Sequence, residues 1–124
     1  MRSWLTALMC IAVAMVGHSS PIPRTPTPKD ALRAAIYKYN ASSDKDNLYK
    51  LLRGYCIAIK ALPQGKEYEI GFTLKKTACT KGMEDIIEQC EFINNGTTLT
   101  CNALVTIRFN VPKPVRTRVT CTED

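Results

Sequence analysis

Apolar residues are spaced in three different ways along the chain, and each spacing predicts a different element. Trp4 to Gly17 is an uncharged, mostly apolar run of fourteen residues behind Met1-Arg2. It is too short to cross a bilayer comfortably and matches the apolar core of a signal peptide, with cleavage after Ser19. From Leu32 the spacing changes. Leu32, Ala35, Ile36 and Tyr39 follow an i, i+3, i+4, i+7 order that makes one helical stripe. Thr27 and Pro28 suit the cap and first position of that helix, Asp30 adds a favourable charge to its first turn, and Asn40 to Asp46 breaks the pattern.

Everything beyond is strand-like. Leu48 to Leu62 is apolar and aromatic, with Gly54 marking a bulge or bend. Tyr68, Ile70, Phe72 and Leu74 alternate with polar neighbours, as a half-buried strand requires. Asn95-Gly96 is a strong two-residue hairpin signal, because both residues tolerate positive φ. Leu99, Cys101, Ala103, Val105, Ile107 and Phe109 then share one face, and Val115, Val119 and Cys121 repeat that parity. The pattern predicts an α+β domain: one helix on an antiparallel sheet of four or five strands. Residues 1–19 read as the signal, 20–28 as an extended leader carrying Pro21, Pro23, Pro26 and Pro28, and 29–124 as a single domain.

Composition narrows the chemistry. The chain of 124 residues has one histidine, His18, and that falls within the expected signal. Without it there is no Ser-His or Cys-His couple and no imidazole ligand for a metal, so binding rather than catalysis is expected, with no cofactor and no metal. The formal net charge is +6. No second long apolar run provides a transmembrane span, and the product is expected to be secreted. Secretion favours disulfides. With Cys10 set aside, Cys56, Cys79, Cys90, Cys101 and Cys121 remain, an odd number. Cys56 stands apart and is expected to be the free thiol, buried and inert or bridging two copies into a disulfide dimer. Two bridges from five cysteines can be drawn fifteen ways. A hairpin at Asn95-Gly96 sets Cys90 opposite Cys101, while the return from Asn110 to Pro114 brings Cys101 near Cys121. Sequons at Asn95 and Asn40 are candidate glycosylation sites.

Two motifs carry a resemblance. Tyr39-Asn40-Ala41-Ser42-Ser43 at a helix end, followed by the strand Leu48-Tyr49-Lys50-Leu51-Leu52, resembles the cystatin superfamily. Phe72 to Cys79, then Cys90-Glu91-Phe92 and the Gly96 turn to Cys101, resembles the cathelin-like domain of cathelicidins, with ten-residue gaps on either side of Cys90. The nineteen-residue gap from Cys101 to Cys121, and a chain ending at Thr122-Glu123-Asp124, look more like secreted type-2 cystatins. The resemblance spans about Lys29 to Cys121 and implies a curved antiparallel sheet gripping one helix. It also implies bridges Cys79–Cys90 and Cys101–Cys121.

The resemblance implies inhibition of papain-like cysteine proteases by a wedge of an N-terminal glycine and two loops. Here the first loop falls on Ala61-Leu62-Pro63-Gln64-Gly65, where only the glycine matches, and the second on Val111-Pro112-Lys113, with lysine in place of tryptophan. No glycine lies between Ser19 and Tyr39. Loss of an aromatic anchor and gain of a charge that must be desolvated predict weak inhibition. The alternative is a host-defence role. Arg108, Arg116 and Arg118 alternate outward, with Lys113 at the tip between them, a basic patch suited to an anionic glycan or bacterial surface. The plainer reading of those charges is a solvated face that keeps the sheet from aggregating. Nucleic acid is not an expected partner, since no aromatics interleave with these bases.

Overall fold

The computed structural model describes residues 25–111, 113–114 and 116–124; the expected signal peptide, most of the leader and Val115 lie outside the described residues. Helix α1 (Pro28–Ser42) is followed by strands β1 (Asn47–Leu62) and β2 (Gly65–Thr80), a short 3-10 helix (Glu84–Gln89), then β3 (Thr98–Arg108) and β4 (Arg116–Glu123). The four strands form one antiparallel sheet in chain order.

Helix α1 starts where its side chains can satisfy the free amide groups of its first turn. Thr27 Oγ1 accepts from the Asp30 N–H at 3.2 Å, and Asp30 Oδ2 accepts from the Thr27 N–H at 3.0 Å. Ala31 and Ala35 are fully buried, and their small side chains let the helix lie close on the sheet. Beneath them sit Tyr68, Ile70, Phe72 and Leu74 of β2 with Leu99, Cys101, Ala103, Val105 and Ile107 of β3. These alternate positions form the core, and each large side chain there contributes roughly 1.5–3 kcal/mol.

The last residues of the expected leader are packed rather than loose. Pro26 and Thr27 are buried, and the Tyr68 hydroxyl donates to the Pro26 carbonyl at 2.7 Å. Burial pushes the Tyr68 phenol up to about 12, with the nearby Asp30 charge adding to it.

Four sequence expectations need correction. Asn95-Gly96 does not close a hairpin between two strands. Asn95 takes a left-handed backbone (φ 60°) in a turn closed by the Gly96 N–H on the Ile93 carbonyl. The long β2 explains this: it pairs with β3 over Gly65 to Lys75 and still has room for the 90s segment, through a Thr77–Phe92 bridge. Phe109 leaves the core face just past the end of β3 and is 40% exposed. Asn40 is 4% exposed. Its Nδ2 donates to the Tyr49 carbonyl and its Oδ1 accepts from the Tyr49 N–H, both at 2.9 Å, so this side chain ties α1 to β1 and is closed to a glycan. Cys56 is disulfide-bonded, with its partner outside the described residues, and no described cysteine is free. It is not the free thiol that the odd count of five suggested.

Two disulfides close within the described residues, Cys79–Cys90 and Cys101–Cys121. Cys101 and Cys121 sit directly opposite each other on β3 and β4.

Candidate binding edge

The sheet has one end where both hairpins turn. β1 passes into β2 through the two residues Pro63 and Gln64, with Leu62 paired to Gly65. β3 passes into β4 through the segment that begins at Phe109. The two turns are joined: the Phe109 N–H donates to the Gln64 carbonyl at 2.9 Å. Gly65 makes the approach feasible. A Cβ there would sit 2.2 Å from the Ile107 carbonyl oxygen and 2.7 Å from the Arg108 Cα, so any side chain would force β2 and β3 apart.

The edge thus brings together the two loops singled out in the sequence. Ala61, Pro63 and Gln64 are exposed, Leu62 is half-buried and Gly65 is buried. Val111 and Lys113 are exposed, and Pro112 lies outside the described residues. Sequence reasoning missed Phe109, which joins Val111 as a second exposed apolar side chain here. Its strand parity had assigned it to the core.

The basic candidates share one outer face. Arg108, Arg116 and Arg118 are all exposed, on the sheet face turned away from α1. Register places Arg116 opposite Thr106 and Arg118 opposite Leu104, with Glu67 and Glu69 on the other side of β3 in the same two rows. Two strand spacings separate each arginine from its glutamate, about 9–10 Å, close to the screening length in physiological salt. Among the described residues the ion pair formed is Lys45–Glu123 at 3.7 Å, away from this face. The arginines therefore carry their charge into solvent without a bonded carboxylate.

The opposite end of the sheet is chemically different. There Lys50 Nζ donates to the Cys90 carbonyl at 2.6 Å and lies 4.7 Å from the Phe92 ring centroid. The acidic segment Glu84–Gln89 packs beside it inside the Cys79–Cys90 loop.

A family model for cathelicidins matches residues 24–124. The chain belongs to the cathelicidin family. Among relatives in that family, the cathelicidin-related peptide Oh-Cath of Ophiophagus hannah is 32% identical over 99 residues, covering 79% of this chain and 51% of that protein. The cathelicidin-related antimicrobial peptide Na_CRAMP of Naja atra is 33% identical over 100 residues, with coverage of 79% and 51%. Cathelicidin-2 of Bos taurus is 30% identical over 79 residues, with coverage of 64% and 45%. The chain spans about half the length of the curated relatives it matches. Among solved structures, dimeric human cystatin F superposes with a TM-score of 0.60 at 20% identity, covering 82% of this chain and 84% of that one. This cathelicidin-family chain therefore has a cystatin-like fold, as the two motifs in the sequence implied.

Proposed function

We propose that this chain is an extracellular host-defence domain that works by binding, and that it captures anionic surfaces through the basic β3–β4 ribbon. The observation that carries this reading is the exposed, unneutralised set Arg108, Arg116 and Arg118 on one face, with Lys113 at the tip between the strands. A single exposed ion pair contributes little. Several cations meeting a polyanion together release its condensed counterions, which gives a strong, salt-sensitive attraction. A family relative carries the word antimicrobial in its name, which fits this direction. The signal-like start of the sequence and two disulfides in so small a domain support an oxidising, extracellular setting. Asn95, exposed at its turn, is the glycosylation site consistent with that setting.

Binding of the chain to an immobilised sulfated polysaccharide tests the reading. The double variant Arg116→Glu/Arg118→Glu is expected to weaken binding at least tenfold, while its fold stays intact because both side chains are exposed. Unchanged affinity would overturn the proposal.

A second reading has its own support. The Gln64–Phe109 hydrogen bond unites the two hairpins into one edge, as a wedge entering the cleft of a papain-like cysteine protease needs. Lys113 and the absent tryptophan predict that such inhibition is weak. Titrating papain with the folded chain checks it, and tight inhibition would move this edge ahead of the ribbon.

A further inference from the structure

An open groove of about 1140 Å3 runs between the flank of α1 and the β3–β4 connection. Its walls are apolar on both sides. Ala34, Tyr37 and Ala41 form an i, i+3, i+7 line along the helix, facing Ile107, Val111 and Pro114. Tyr37 is 67% exposed and Val111 41%, so neither side chain is used by the core. The rim is cationic: Arg33 and Lys38 come from the helix and Lys113 from the other bank. Among the described residues lining it the acid is Asp30, whose carboxylate accepts from the Thr27 N–H and hydroxyl in the helix cap.

We propose that this groove binds a single-chain anionic lipid. The acyl chain lies along the Ala34–Tyr37–Ala41 line, about 10 Å of helix, and covers the exposed ring of Tyr37. The carboxylate or phosphate headgroup sits between the cations of the two banks. Apolar walls with a cationic rim complement a ligand that is itself apolar with one anionic end, and they disfavour a cationic amphiphile. The site goes beyond the ribbon reading, because Arg116 and Arg118 take no part and an acyl chain is required.

Titration of the labelled chain with lysophosphatidylglycerol below its micelle concentration, followed by amide chemical shifts, tests this. Saturable shifts at Ala34, Tyr37, Ala41 and Val111 are expected. Zwitterionic lysophosphatidylcholine and chain-free glycerol phosphate are each expected to bind at least tenfold more weakly. Arg33→Glu/Lys38→Glu is expected to weaken binding tenfold, and Ala41→Trp to block the groove. Should the tryptophan variant unfold, the charge variant and the two control ligands still decide the matter. Equal binding of the zwitterionic lipid, equal binding of glycerol phosphate, or no shifts in the groove would overturn the proposal. Binding of Arg33→Glu/Lys38→Glu to the sulfated polysaccharide reads the ribbon separately, so the two ideas fail independently.

Discussion

The two ends of the sheet are held by different chemistry. At the end where β2 finishes, Cys79–Cys90, the Asn40–Tyr49 pair and the Thr77 hydroxyl on the Leu48 carbonyl (2.7 Å) lock helix, strands and connection together. Among the described residues, the hairpin end is tied by the backbone bond from Phe109 to Gln64, by the Val111 N–H on the Arg108 carbonyl at 3.4 Å and by the close backbone approach at Gly65. That end instead exposes Phe109 and Val111 beside Arg108 and Lys113. One end is committed to stability, and the other is left with unsatisfied charge and apolar surface. On the proposed reading, binding falls at the hairpins, where the fold leaves these side chains unused.

The largest effect is expected from the covalent ties. Replacing Cys101 and Cys121 together by alanine, which opens a crosslink over 20 residues, is expected to cost about 3 kcal/mol in urea unfolding. A loss near zero would mean that β3–β4 pairing alone holds that edge. Asn40→Leu strands the Tyr49 N–H and carbonyl inside the protein and is expected to cost about 1–3 kcal/mol. At the hairpin end, Gly65→Ala is expected to cost about 1–3 kcal/mol, and to broaden amide signals around Ile107 and Arg108 rather than around Cys79. Disturbance reaching Cys79 would break the contrast between the two ends.

The smallest effect concerns the tie between sheet and helix start. Tyr68→Phe removes the bond to the Pro26 carbonyl and is expected to cost about 1–2 kcal/mol at neutral pH. The folded phenol titrates at about 12 against an ordinary value near 10, so the folded state keeps a proton that the unfolded chain releases. The associated stability is whole below pH about 10 and is lost as pH rises towards 12. Parallel denaturation of wild type and Tyr68→Phe between pH 9 and pH 12 should show the wild-type advantage shrinking and disappearing as pH rises towards 12.

Much of the fold was legible because its periodicity is clean. The Leu32–Ala35–Ile36–Tyr39 stripe gave the helix, and alternation at Tyr68 to Leu74 and Leu99 to Ile107 gave the two central strands. What misled was local chemistry read without its partners. Asn95-Gly96 has turn chemistry, but β2 is long enough to take both flanking segments, and turn residues say nothing about a third strand. Asn40 carries a sequon, yet its amide is used by a strand nine residues on. Phe109 follows the strand parity and leaves the face because β3 has already ended. Spacing left the disulfide pairing open, and the structure pairs the cysteines in chain order. The basic ribbon was visible from alternation alone, whereas the groove beside α1 depends on a crossing of helix and loop that periodicity does not contain.

The salt dependence of binding to a sulfated polysaccharide tests the central claim most directly. If Arg108, Lys113, Arg116 and Arg118 engage together, the logarithm of the affinity should fall with the logarithm of salt concentration at a slope of about −3. A slope near zero, or the same slope in Arg116→Glu/Arg118→Glu, would contradict it.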